Sequence, residues 1–195
     1  MTLDLRRIVL LVALLNLAYF GIEFAVAARI GSVSLFADSI DFLEDTCLNV
    51  LVWVGLAKAA RHRAILGKLL AGLLLIPSLA TVYALVTKVA SFTSPEPLPL
   101  SLTGAGALAV NLGCALLLAR HRHRGGSLSR AAFLSARNDA LANVAIVAAG
   151  AVTWYAASAW PDLIVGLGIA AMNAGAAREV FRAARQEQDM IAPHP

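Results

Sequence analysis

The sequence predicts an all-α integral membrane protein, a six-helix transmembrane bundle with N and C termini cytoplasmic. Three observations lead to this prediction: a high apolar content, its arrangement in long blocks, and an uneven distribution of basic residues. The chain of 195 residues is 59% hydrophobic and 14% charged, with a mean hydropathy of +0.76. Soluble domains carry about 25% charged residues, so a soluble globular protein is excluded.

Six apolar blocks are each long enough to cross a hydrocarbon core of about 30 Å as a helix. They cover residues 8–28, 33–57, 65–91, 100–119, 131–156 and 160–177. Helices are predicted because lipid cannot satisfy open backbone groups, and the alternating pattern of a membrane barrel is absent. Pro77 predicts a kink in the third block, and TSPEPLP at 93–99 predicts a loop before the fourth.

The basic residues give the orientation of the bundle. Thirteen of the sixteen lysines and arginines flank the blocks on one side, and only Arg29 and Lys88 lie on the other. By the positive-inside rule the first side is cytoplasmic. We therefore expect a multi-pass protein of the cell membrane in contact with the lipid bilayer. The net charge of +4 is explained by topology, and no nucleic-acid partner is predicted.

Span two carries four carboxylates within FADSIDFLED, residues 36–45. At about 100° per residue, four polar residues share one helix face: Asp38, Asp41, Asp45 and Asn49. Glu44 stands on the neighbouring flank. Each acid at the centre of a span costs about 2.5–3.5 kcal/mol to insert. Such residues face a bundle interior or a wet cavity, and an ion path is the leading hypothesis. A surface helix is the alternative, but a polar stripe on one side of a long apolar block speaks against it.

Span five carries a second polar stripe, because Ser135, Asp139 and Asn143 recur every four residues. At about 1.5 Å per residue, Asp41 and Asp45 lie about 12–18 Å below the outer surface, and Asp139 lies about 18 Å below it. Spans two and five are therefore predicted to be neighbours. Three carboxylates at one depth repel unless a cation or protons neutralise them, and a divalent cation with oxygen ligands fits.

Three stretches resemble the cation diffusion facilitator family, a group of six-span exporters with paired ligands in spans two and five. GSVSLFADSIDFLEDTCLNVL is similar to the family's second helix, and RAAFLSARNDALANVAIVAAG to its fifth. WPDLIVGLGIAAMNAGAAREVFRAA is similar to the sixth, which often opens on an aspartate. Together they cover most of residues 16–60 and 128–186. The resemblance implies a proton-coupled exporter of divalent metal ions, not an enzyme, that forms homodimers.

Carried over residue by residue, the resemblance implies a metal site at Asp41, Asp45, Ser135 and Asp139, with no permanently bound cofactor. A histidine often stands where this chain has Ser135. The all-oxygen set is less suited to zinc and leaves manganese, iron and cobalt open as transported cations. Family members commonly carry a soluble domain after span six. Here we expect a six-span transmembrane domain over 1–186, a short cytoplasmic tail over 187–195 and no soluble C-terminal domain.

Further polar residues lie outside that set. Glu23 and Asp38 are expected within about 10 Å of the outer surface, where with Asn143 they form a possible ion or proton path. The alternative is a pair of interfacial carboxylates hydrogen-bonded to their neighbours. Asn111, with glycines at 104, 106 and 113, predicts a close helix contact rather than a ligand. The RHRHR stretch at 120–124 is explained by cytoplasmic anchoring rather than by metal binding.

Two functions remain open. The first is a secondary transporter that exports divalent cations against inflowing protons, which the three acids at matching depth favour. The second is a non-transporting membrane subunit or metal sensor of the same fold, which Ser135 and the expected lack of a soluble domain favour. The chain has no GxxxxGK[ST], HExxH or GxSxG motif, and nothing supports a hydrolase or an oxidoreductase.

Overall fold

The computed structural model describes residues 2–55, 81–91, 93–119 and 126–172, and these residues form six helical segments and no strands. In chain order the segments are α1 (Thr2–Ile30), α2 (Val33–Gly55), α3 (81–91), α4 (Pro97–Ala119), α5 (Gly126–Ala156) and α6 (Trp160–Met172). Most of α1, all of α4 and the second half of α5 are long and apolar enough to cross a membrane. α2 has the same length as α4, but it carries four acidic residues and α4 carries none. The predicted all-α membrane fold is confirmed.

The predicted spans coincide with helices wherever the structure describes them, but several ends are shifted. The loop predicted at 93–99 is reduced to 93–96, because Pro97 and Pro99 lie in the first turn of α4. Proline is tolerated there, since the first N–H groups of a helix have no intrahelical partner. α5 begins at Gly126 rather than at 131. The predictions for Pro77, for 120–124 and for the tail at 187–195 lie outside the described residues.

A two-residue turn joins α1 to α2 and fixes where α2 begins. Gly31 has a φ of 64°, and the N–H of Ser32 donates to the carbonyl of Ala27 at 3.1 Å. This pattern is a Schellman motif, in which the left-handed position favours glycine. Ser32 Oγ then accepts a bond from the N–H of Leu35 at 3.2 Å, as an N-cap side chain does.

The helices pack so that α2 lies between α1 and α5. The most extensive contacts join α1 to α2 and α4 to α5, and α1–α4 and α2–α5 contacts close the group. The predicted neighbourhood of spans two and five is therefore confirmed. The close contact predicted on α4 is also confirmed, since a Cβ at Gly104 would meet Ile146 and one at Gly106 would meet Tyr19, whereas Gly113 faces open space.

The orientation of the bundle is testable by labelling. With Cys47 and Cys114 replaced by alanine, Ser94→Cys and Ser127→Cys are expected to report opposite sides, because α4 separates the two positions. A membrane-impermeant maleimide added to intact cells should label position 94 at once and position 127 only after permeabilisation. Labelling of both from the same side would overturn the predicted topology.

Candidate cation site between α2 and α5

The acidic stripe of α2 lies inside the bundle as the sequence predicted. Asp38 is fully buried, Asp45 is nearly so, and Asp41 is partly exposed. Asn49 is buried one turn after Asp45 and donates through Nδ2 to the main-chain carbonyl of Asp45 at 2.8 Å. Because Asn49 binds the helix backbone, it supports α2 rather than offering its amide nitrogen to the stripe.

α5 brings the second stripe to the same region. Asp139 is partly buried and Asn143 is fully buried. The carboxylate of Asp41 lies within electrostatic reach of those of Asp139 and Asp45. Ser135 lies on α5, one turn before Asp139. The contact between α2 and α5 is the one that the depth argument predicted.

The carboxylates share a region without converging on one point. Among the described residues, no three histidine, cysteine, aspartate or glutamate side chains are grouped closely enough to hold a metal ion. A cation bound by Asp41, Asp45 and Asp139 would require these side chains to lie closer together than they do here. The complete ligand set therefore stays a prediction.

A buried polar line crosses four helices on the side of Asp41 that is nearer the start of α2. It consists of Glu23 on α1, Asp38 on α2, Asn143 on α5 and Asn111 on α4. Asn111 Nδ2 donates to Asn143 Oδ1 at 2.9 Å, and Asn143 Nδ2 donates to Asp38 Oδ2 in a short hydrogen bond. The line is therefore continuous from α4 to α2.

At the α1 end of this line, three carboxyl oxygens of Glu23 and Asp38 have no hydrogen-bond donor among the described residues. Glu23 and Asp38 lie close enough to interact electrostatically. In the part of the chain that the structure describes, neither Glu23 oxygen nor Asp38 Oδ1 accepts a hydrogen bond. The nearby Tyr19 hydroxyl donates instead to the carbonyl of Thr103 at 2.6 Å. Two adjacent buried carboxyl groups repel each other when both are ionised, so a shared proton or a bound cation would stabilise the pair.

The role of Asn111 was only partly predicted from the sequence. The asparagine does mark a close helix contact, as predicted, but its amide also completes the polar line. The signal that could have identified this role was the spacing of Asn143 one turn from Asp139, since a fully buried asparagine needs a polar partner on a neighbouring helix. Asn16 on α1 is likewise fully buried and has no hydrogen-bond partner for its side chain among the described residues.

The family described as the cation efflux transmembrane domain matches residues 9–187. The match includes the acidic stripe of α2, the polar stripe of α5 and every residue of the buried polar line. None of the proteins with curated descriptions matches this chain.

Proposed function

Because the chain belongs to the cation efflux family, whose members transport divalent metal cations, we propose that it exports a divalent cation from the cytoplasm in exchange for protons. The proposed cation site consists of Asp41, Asp45, Ser135 and Asp139. The observation that supports it most is the packing of α2, which carries Asp41 and Asp45, against α5, which carries Asp139. Membership in this family identifies a metal cation transporter rather than an enzyme.

The energetic cost of these acids supports a role in ion movement. Each carboxylate near the centre of a span costs about 2.5–3.5 kcal/mol on insertion scales. Three such groups on two packed helices also repel one another in a low dielectric. A divalent cation offsets both costs while it is bound, and protons offset them when it leaves. Competition between these two occupants makes cation binding depend on pH.

The donor atoms point to a hard cation. Three carboxylates and a hydroxyl supply oxygen only, which suits manganese, and iron or cobalt next, better than zinc. Zinc sites usually include nitrogen or sulfur ligands. We therefore propose that zinc is the poorest of these four substrates.

Ser135→His is expected to shift the preference toward zinc. The substitution adds an imidazole one turn from Asp139, and imidazole favours zinc over manganese. The ratio of zinc to manganese flux should rise by about tenfold or more, the equivalent of about 1.4 kcal/mol. Ser135→Gln, which is similar in size and offers only an amide, is the matched control. An equal ratio in both variants would place position 135 outside the site.

The buried polar line is the proposed outward continuation of the path. Glu23 and Asp38 would hold the proton that their burial demands, and Asn143 would orient Asp38 through its amide. This assigns protons to a place next to the cation site and about one helical turn outward from it. The protein would work as a multi-pass protein of the cell membrane with both termini cytoplasmic, and as a homodimer that pairs through exposed apolar helix faces.

A metal sensor or non-transporting subunit is the second candidate. The acids do not converge within the described residues, and position 135 lacks an imidazole. Both observations fit a site that binds a cation weakly without carrying it across the membrane. A sensor would bind the cation without net flux. Flux and binding measured on the same preparation separate the two functions.

The deciding experiment is flux in proteoliposomes. Purified protein is reconstituted, and uptake of Mn²⁺, Fe²⁺, Co²⁺ and Zn²⁺ is measured with and without an imposed pH gradient. We expect saturable flux of at least one cation, accelerated by the gradient. Glu96→Gln is the control, since Glu96 is an exposed acid in the connection before α4. Cation binding without flux would favour the sensor, and neither binding nor flux would refute both functions.

A further inference from the structure

The outer end of α2 is held by a carboxylate from another helix. Asp162 lies on α6, is fully buried and accepts four hydrogen bonds from residues 32–34. Its Oδ1 accepts from Ser32 Oγ at 2.7 Å, from Ser34 Oγ at 2.6 Å and from Ser34 N at 3.1 Å. Its Oδ2 accepts from Val33 N at 2.9 Å. A single side chain on α6 therefore takes two of the first backbone N–H groups of α2.

This arrangement satisfies the start of α2 completely. A helix leaves its first N–H groups without intrahelical partners, and its N-terminus carries a partial positive charge. The N–H groups of Val33 and Ser34 are bound by Asp162, and that of Leu35 is bound by Ser32 Oγ. The anionic carboxylate also matches the helix dipole. Asp162 therefore caps α2 in two ways: it accepts hydrogen bonds from the first turn, and it places a negative charge at the positive end of the helix.

The packing around the cap joins α3 and α6 to the turn between α1 and α2. A Cβ at Gly166, one turn after Asp162, would meet the backbone of Val33 and Ser34 at 2.8 Å, so only glycine allows α6 to approach this closely. Lys88 on α3 is buried, donates to the carbonyl of Gly31 at 2.7 Å and interacts electrostatically with Asp162. The turn is thus held from two sides.

We propose that Asp162 is a positioning residue for cation transport, which sets the height and rotation of α2 and so of Asp41 and Asp45. The proposal rests on the proposed function, because it takes α2 as the carrier of cation ligands. Asp41 lies eight residues, or about 12 Å, from Val33 on the same helix. A functional constellation must be held within about 0.5 Å by its supporting residues. A cap that fixes the first turn of α2 from α6 supplies such support.

The proposal predicts a change in cation affinity and not only in stability. Asp162→Leu removes all four bonds at similar size, and it should raise the apparent KM for the cation by about 10–100-fold, the usual cost of losing a residue that orients a metal ligand. Asp162→Asn keeps one acceptor oxygen and should raise KM by only about fivefold, the equivalent of one hydrogen bond. Ser32→Ala with Ser34→Ala leaves Asp162 and both backbone donors in place and should fall between wild type and Asp162→Leu.

The measurement is flux of Mn²⁺, Fe²⁺, Co²⁺ and Zn²⁺ against concentration in proteoliposomes, with thermal unfolding recorded on each variant. A graded rise in KM across the variants supports the proposal. A lower unfolding temperature with wild-type KM overturns it and leaves Asp162 a purely structural residue. If Asp162→Leu does not fold, Asp162→Asn and the double serine variant decide the result in the same way. Asp45→Asn distinguishes the proposed function from the positioning role. Its flux tests the proposed function, whereas the KM values of the Asp162 variants test only the positioning role.

Discussion

Asp45→Asn and Asp139→Asn are each expected to abolish cation flux while the protein stays folded. Loss of a residue that only orients a metal ligand costs about 10–100-fold in metal affinity, so loss of a ligand should cost at least about 100-fold in flux. Folding should survive, because each change removes one charge from a group of carboxylates that repel one another. The measurement is initial flux in proteoliposomes with matched amounts of folded protein.

Glu44→Gln is the matched control for this experiment. Glu44 lies beside Asp45 on the same helix and is also partly buried, but it points to the flank of the polar stripe. Its flux should remain close to that of wild type. If Glu44→Gln loses flux as Asp45→Asn does, the acids of α2 act through their summed charge and not as ligands. Wild-type flux in Asp139→Asn would place the ion path away from α5.

The same set of acids predicts how binding depends on pH. Carboxylates are metal ligands only when deprotonated, so cation binding releases protons and weakens as pH falls. Asp41, Asp45 and Asp139 contribute in the same direction, because each must lose its proton to bind. The sign is the one that export requires when the outer medium is the more acidic side.

Much of this fold could be predicted from the sequence, because membrane spans are specified locally. An apolar block of about 20 residues must form a helix in lipid wherever it lies in the chain. The pairing of α2 with α5 was also predictable, since the depths of Asp41 and Asp139 follow from rise per residue alone. The start of α4 was misplaced because Pro97 and Pro99 suggest a loop, although the first turn of a helix tolerates both.

Contacts between distant helices could not be predicted in the same way. Asp162 caps α2 across about 130 positions of sequence, and nothing near Asp162 indicates which helix start it binds. Asn111 and Asn143 each needed a polar partner, but helical spacing gives the face of a residue and not the identity of its neighbour. The buried polar line and the α2 cap therefore became visible only in three dimensions.

The polar line raises the question of where the proton of the proposed antiport resides. If the cation ligands alone carried protons, the free-energy cost of burying Glu23 and Asp38 would have no explanation. Both residues are fully buried, and neither Glu23 oxygen nor Asp38 Oδ1 has a hydrogen-bond donor among the described residues. A proton shared by the two carboxyl groups would resolve this, because the protonated group can donate a hydrogen bond to an oxygen of the other. Asn143 donates a hydrogen bond to Asp38 and would hold it in position for that exchange.

Glu23→Gln combined with Asp38→Asn is accordingly expected to uncouple cation movement from the pH gradient. The amides keep the shape of both side chains, and the hydrogen bond from Asn143 retains an oxygen acceptor, but neither group can release a proton. In wild type, one unit of pH difference supplies about 1.4 kcal/mol for each proton exchanged, or about tenfold in the cation ratio across the membrane. In the double variant that ratio should no longer respond to the gradient, although flux down a cation gradient continues. The measurement is the steady-state cation ratio in proteoliposomes at several imposed pH differences, with Glu44→Gln as the control. A tenfold response per unit that persists in the double variant would assign the proton to the cation ligands themselves.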